Sequence, residues 1–240
     1  MINNLMSKPD SDVLMSGKTS FKVEVPFQLI ETGPKNHKKP LIVYLHGFGQ
    51  NNKSFKKKCE QLLTLNAYHL FIQGPYPIYD KKGNKNVSDW GRAWYLYDGN
   101  RGQFIKSLEL SSEFIQDQID KLLKLIDVSR VCVIGYSMGG YLAGYFALTR
   151  WKHVNECVVI GARIKTEVID KQWDSLKYLK VLALHGKYDK SVDYEPQIDE
   201  IYKLRNHSIK ADLTLIESGH ELKNIYINHV IHWLNQRGYK

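Results

Sequence analysis

The residues best suited to chemistry are a serine, a carboxylate and an imidazole. Gly135-Tyr136-Ser137-Met138-Gly139 carries glycines two positions before and after a serine, the spacing that lets a serine sit on a tight, strained turn between a strand and a helix. A serine hydroxyl needs a base. Glu217-Ser218-Gly219-His220 offers an imidazole, and His185-Gly186-Lys187-Tyr188-Asp189 offers a carboxylate to orient it. In chain order these are Ser137, Asp189 and His220, 52 and 31 residues apart. Their chemistry is nucleophilic acyl transfer: Ser137 attacks a carbonyl, His220 takes the proton and returns it to the leaving group, and Asp189 fixes the imidazole tautomer. Asp193, four residues beyond Asp189, is a rival acid. The oxyanion that forms needs two N–H donors: Met138, next to the serine, is placed to supply one, and the second is expected from the turn His46-Gly47-Phe48-Gly49 that follows the Leu41 to Leu45 strand.

These groups act together only if strands and helices bring them to one place. Leu41 to Leu45, Tyr68 to Ile72, Val131 to Ile134, Cys157 to Ile160, Val181 to Leu184 and Ala211 to Ile216 are short apolar runs, the pattern of strands buried on both faces of a parallel sheet. Helical stretches separate most of them: Ser54 to Leu65, a helix opening at Ser111, an apolar helix through Leu148, one around Gln197 to Leu204, and a last one from Leu222 to Gln236. This alternation predicts an α/β fold with a mostly parallel central sheet flanked by helices on both faces. In such sheets ligands bind beyond the carboxyl ends of the strands, where Phe48, Ser137, Asp189 and His220 all fall. Phe21, Val23, Val25, Phe27 and Leu29 alternate as an edge strand does. Residues 74–110 hold Tyr76, Tyr79, Trp90, Trp94, Tyr95, Tyr97 and Phe104 with interleaved glycines, and are expected to form a long aromatic-rich binding loop.

Length and composition fit one domain. The chain has 240 residues, 43% hydrophobic and 25% charged, enough for one sizeable core. We expect residues 1–20 to be an N-terminal tail and 21–240 a single domain. Three cysteines lack metal-site spacing, residues 1–20 lack the apolar run of a signal peptide, and no stretch is apolar enough to span a membrane. The expectation is a cytoplasmic protein with no integral membrane segment. The net charge of +9 comes from 27 lysines against 7 arginines, with no long basic stripe. That favours a lysine-rich surface over a nucleic-acid site. The acyl-transfer chemistry calls for no cofactor and no metal.

With these motifs in hand the sequence resembles the α/β-hydrolase superfamily, and within it the phospholipase/carboxylesterase family of small esterases and acyl-protein thioesterases. The resemblance runs from about Phe21 to the last helix. It rests on His46-Gly47-Phe48-Gly49, Gly91-Arg92-Ala93-Trp94-Tyr95, Gly135 to Gly140, His185-Gly186 with Asp189 and Val192, and Gly219-His220. It implies the α/β-hydrolase fold, a triad of Ser137, Asp189 and His220, oxyanion donors at Phe48 and Met138, and Trp94 and Tyr95 bordering the substrate pocket, unless these rings only plug the core. The sequence departs from the family in three places. Met138 stands where acyl-protein thioesterases commonly carry glutamine, Gln50-Asn51 replaces an acidic residue, and Ile160-Gly161-Ala162-Arg163 replaces a small Ser-Gly turn. Arg163 could bind an anionic substrate group as a bidentate donor. The expected function is cleavage of small to medium acyl esters or thioesters through an acyl-serine. Two alternatives are a lysophospholipase acting on anionic interfaces and a non-catalytic ligand-binding relative. The sequence leaves a homodimer open.

Overall fold

The computed structural model describes residues 14–17, 19, 22–35, 37–79, 83, 86–169 and 173–240. Most of the expected tail, and Phe21 with it, lies outside these residues.

Seven strands form one sheet in the order β1-β3-β2-β6-β7-β8-β9. They are β1 (Phe27–Glu31), β2 (Lys39–Leu45), β3 (Tyr68–Ile72), β6 (Val128–Tyr136), β7 (Glu156–Ile160), β8 (Lys180–Gly186) and β9 (Lys210–Ile216), while β4 (Tyr76–Pro77) and β5 (Arg92–Ala93) make a separate two-stranded hairpin. Only β1 runs antiparallel within the large sheet; the other pairings are parallel. This is the mostly parallel α/β sheet expected.

The apolar run of β2 shows why the strands are hydrophobic throughout. Leu41, Val43 and Leu45 point to the face covered by α2 (Arg101–Leu122), α3 (Met138–Thr149) and α4 (Glu195–Asn206), and Ile42 and Tyr44 to the face covered by α1 (Asn52–Lys58) and α5 (Asn224–Asn235). All five are fully buried, and each aliphatic side chain so buried contributes roughly 1.5–3 kcal/mol. Chain direction across the sheet reverses at β2, which has β3 on one side and β6 on the other. A crevice opens at such a switch point, and the register of Leu45 with Gly135 sets the His46 turn beside Ser137.

Several expected elements change. The helix expected to open at Ser111 begins ten residues earlier, at Arg101, because the Asn100 side chain accepts from the Gln103 N–H at 3.0 Å and caps it. Its apolar stripe is continuous, with Leu108, Ile115 and Ile119 fully buried and Phe104 packed on the same core. The described residues of 74–110 therefore include a hairpin, a 3₁₀ turn (Val87–Asp89) and the first turns of α2. The edge strand starts at Phe27, and the alternating residues 22–26 before it stay out of the sheet.

Candidate active site

Ser137 sits between β6 and α3 with φ of 52° and ψ of −118°, a backbone conformation side chains rarely adopt and one that marks stored strain. The flanking glycines permit it. A Cβ on Gly135 would lie 2.0 Å from the Gly139 carbonyl oxygen, and one on Gly139 would lie 2.1 Å from the Leu45 carbonyl oxygen. The Ser137 N–H donates to Ile160 O at 2.8 Å, tying the turn to β7.

His220 joins the serine to the carboxylate. The Ser137 hydroxyl is 2.8 Å from His220 Nε2, and His220 Nδ1 is 2.6 Å from Asp189 Oδ2. An ionised carboxylate only accepts, so Nδ1 carries the proton and Nε2 is free to accept from the serine. The other Asp189 oxygen accepts from the N–H groups of Ser191 and Val192 at 2.8 and 2.9 Å. Burial would raise this carboxyl, but the bonds from His220, Val192 and Ser191 outweigh it and hold Asp189 below the usual range. The rival acid, Asp193, accepts instead from the Glu195 N–H at the start of α4 and does not meet His220. The loop bearing His220 is fixed by Tyr136, whose hydroxyl donates to His220 O at 2.7 Å, and Tyr226, which donates to Gly219 O at 3.0 Å.

The two residues expected to supply oxyanion donors, Phe48 and Met138, line one cavity with Ser137. In the turn after β2, Gly47 N–H donates to Gln50 Oε1, Gly49 N–H to Arg92 O, and Gln50 N–H to Gly47 O. Among the described residues the N–H groups of Phe48 and Met138 have no such partner. Met138 opens α3, whose positive end adds to its pull on an anion.

What holds this turn escapes sequence reasoning. His46 is buried, accepts from the Gly74 N–H at its Nε2 (2.9 Å) and donates from Nδ1 to Gly47 O (2.8 Å), while its own carbonyl accepts from Trp94 Nε1 (2.8 Å). Burial pushes its imidazole down to about 4, against the pull of the Gly47 carbonyl and with the push of Arg92. The Gly91–Arg92 segment braces the turn from the other side, since Arg92 N–H donates to Gln50 O at 2.8 Å. The departures at Gln50 and Asn51 are thus structural: Gln50 braces Gly47, and Asn51 caps α1 through Ser54 N–H. In the sequence His185 stands out only as part of the His185-Gly186 motif. It donates from Nε2 to Val192 O at 2.9 Å, and the same atom is 3.4 Å from Asp189 Oδ2, so it steadies the loop that carries the carboxylate.

A cavity of about 480 Å³ opens over Ser137 and Met138, with walls that include Tyr95, Tyr97, Tyr141 and Ile78, within the size range of small-molecule sites. Phe48 is at its rim and exposed. Tyr95 lines this cavity, held by α2 through a Ser107 hydroxyl that accepts from the neighbouring Leu96 N–H. Trp94 does not: it is fully buried, its ring lies tilted against that of His46 with centroids 4.9 Å apart, and its backbone carbonyl accepts from Ser111. It supports the turn from beneath because its indole N–H has a backbone partner there. Arg163 is also not at the serine. It lines a second cavity, and its two terminal nitrogens already face Glu200 at 2.7 Å and Glu167 at 2.5 Å, so the fork is occupied.

A larger hollow of about 550 Å³ lies at the opposite, amino-terminal edge of the strands. Its Lys38, Lys39 and Arg130 have carboxylate partners in Asp127, Glu31 and Glu156, and it holds none of the groups above. Among the described residues no three His, Cys or carboxylate side chains converge as metal ligands. No helix among them is long and apolar enough to cross a membrane.

The profile of the phospholipase/carboxylesterase family matches residues 28–237. The chain belongs to this family. Acyl-protein thioesterase 1 homolog 2 of Dictyostelium discoideum is 24% identical over 172 residues, covering 69% of this chain and 77% of that protein. Among solved structures, acyl-protein thioesterase 2 of Zea mays superposes with a TM-score of 0.65 at 21% identity, covering 88% of this chain and 98% of the other. The Bacillus cereus carboxylesterase gives 0.67 at 14% identity, covering 88% and 94%. At these identities the structural likeness establishes the shared α/β-hydrolase fold.

Proposed function

We propose that this member of the phospholipase/carboxylesterase family is a cytoplasmic serine hydrolase that cleaves carboxylic esters or thioesters of small to medium acyl groups. The observation that carries the reading is the unbroken relay from Ser137 Oγ through His220 to Asp189, with bonds of 2.8 and 2.6 Å. His220 Nε2 takes the hydroxyl proton as Ser137 Oγ adds to the substrate carbonyl carbon. The N–H groups of Phe48 and Met138 receive the oxyanion, and Asp189 stabilises the imidazolium. Collapse breaks the bond to the alcohol or thiol, which leaves with the proton from His220. Water then enters by the same relay and releases the acid from acyl-Ser137. The aromatic cavity over Ser137 sets the modest acyl size, and the esterase and thioesterase names of the relatives agree with both leaving groups. Free, buried Cys59, Cys132 and Cys157 suit a reducing compartment.

The test is covalent and kinetic. A fluorophosphonate should label Ser137, and Ser137→Ala should abolish labelling and lower turnover of short-chain esters by on the order of 10⁴–10⁶. A folded protein in which Ser137 stays unlabelled and no ester or thioester turns over would return the chain to a ligand-binding role.

A further inference from the structure

The second cavity, about 270 Å³, adjoins the one over Ser137: Tyr97 lines both. The wall between them is aromatic. Phe104 meets Tyr95 and Tyr97 edge to face, with ring centroids 5.0 and 5.1 Å apart. Lys165 lies on this wall, its Nζ 5.1 Å from the Phe104 centroid and 5.8 Å from that of Tyr141, which borders the serine cavity. This lysine is no ordinary surface cation, because only 18% of its side chain is exposed.

The charges here do not balance. Arg101, Arg163 and Lys165 line the annex against the single carboxylate of Glu167. Arg163 takes the nearer share of that carboxylate at 2.5 Å, and Lys165 reaches the same oxygen only at 3.5 Å. The next carboxylate, Glu200, is shared between Arg163 and Lys203 and also accepts from Thr166. Arg101 has no ion-pair partner among the described residues. Burial, then repulsion from Arg163 and Arg101, lowers the Lys165 ammonium from its usual range, with Glu167 opposing. A half-buried cation with too little counter-charge, in an annex that adjoins the serine cavity, is a receptor for an anion.

We propose that Lys165 and Arg101 bind a carboxylate carried by the substrate several bonds from the scissile carbonyl, with Arg163 and Glu167 as the scaffold that holds Lys165 in place. The inference rests on the hydrolase reading and narrows it to acidic esters or thioesters. The carboxylate can belong to the acyl chain or to the leaving group, since the serine cavity has room for either limb.

Three p-nitrophenyl or phenyl esters separate these cases: p-nitrophenyl hexanoate, the mono-p-nitrophenyl ester of adipate, and the hexanoate ester of 4-hydroxybenzoate. The wild-type protein should favour one of the two acidic esters over its neutral counterpart. Lys165→Met keeps an unbranched side chain of similar length and removes the charge. It should reduce the acidic-to-neutral ratio of kcat/KM by roughly 10- to 100-fold. Arg101→Gln, at an exposed position, should reduce it by roughly 3- to 10-fold, and salt near 0.5 M should shrink the wild-type preference. Equal ratios in wild type and both variants would overturn the proposal. A direct binding arm stands apart from turnover: monomethyl adipate should bind Ser137→Ala more tightly than methyl hexanoate does, by calorimetry, and lose that advantage in Ser137→Ala/Lys165→Met. If no ester is cleaved and fluorophosphonate fails to label, the hydrolase reading is lost, while this binding comparison still decides the anion site.

Discussion

Acid should loosen this protein through His46 before it touches most carboxylates. The imidazole is fully buried and accepts a hydrogen bond from the Gly74 N–H, so it folds in its neutral form, with its pKa pushed down to about 4. In the unfolded chain it returns to about 6.5. Between these values the unfolded state binds more protons, and stability therefore rises with pH across the window. The neutral-form contribution is complete above pH 6.5 and is lost as pH falls through about 4. At 1.36 kcal/mol per unit the full loss is on the order of 3 kcal/mol, of which about 2–3 has gone by pH 4.5. The assay is urea unfolding of wild type and His46→Gln from pH 8 to pH 4.5. Other groups titrate too, and buried His69 is likewise depressed to about 4 by burial against the pull of Leu65 O, so the measure is the difference between the two curves. His46→Gln should be the less stable at pH 8, and the gap should narrow by about 2–3 kcal/mol on acidification. Parallel curves would show that His46 does not fold neutral, and the reasoning about its tautomer and the turn it holds would fail with it.

Further outcomes follow from the same geometry. Asp189→Asn removes the negative charge that keeps the proton on His220 Nδ1 and stabilises the imidazolium, and turnover should fall by on the order of 10⁴, whereas Asp193→Asn, whose amide oxygen can keep the turn contact to Glu195, should change it by less than about threefold; equal losses would reassign the acid. Gly91→Ala places a Cβ 2.5 Å from Gly49 O and must push the oxyanion turn, so kcat should drop by roughly 10- to 1000-fold with the triad intact, and unchanged kcat would remove the brace from the mechanism. Tyr97→Ala opens the wall between the two cavities, and the preferred acyl length in a graded ester series should shift upward; an unchanged chain-length profile would put specificity elsewhere.

The sequence carried the architecture because burial on two faces leaves a local mark. A strand such as β2 must be apolar where helices cover both of its faces, and so its run from Leu41 to Leu45 could be read directly, while its first two residues, Lys39 and Pro40, carry no such mark. The start of α2 could not be read so, because Gly99, Gly102 and the aromatic residues around them look like loop, and the decisive feature is one side chain, Asn100, folding back on Gln103. Ser137, Asp189 and His220 were legible for a different reason. Each sits at a strand end, and the order of strands in the sheet then brings the three ends together.

Trp94 and Arg163 mark where such reading stops. A large ring in an apolar stretch can line a pocket or lie under it, and the choice depends on whether its N–H finds a partner inside. Here the His46 carbonyl, 48 residues away, supplies that partner, so Trp94 turns inward and Tyr95 next to it faces the cavity. Arg163 did carry a local warning in Glu167, four residues on, though the second partner, Glu200, comes from another helix. Together these two carboxylates convert the arginine from a ligand donor into the support for Lys165. Beside Arg101, the cation left to meet a substrate is then the one whose residue type says least, a lysine among 27, distinguished by its burial, its weak share of Glu167 and the rings of Phe104 and Tyr141 that it lies against.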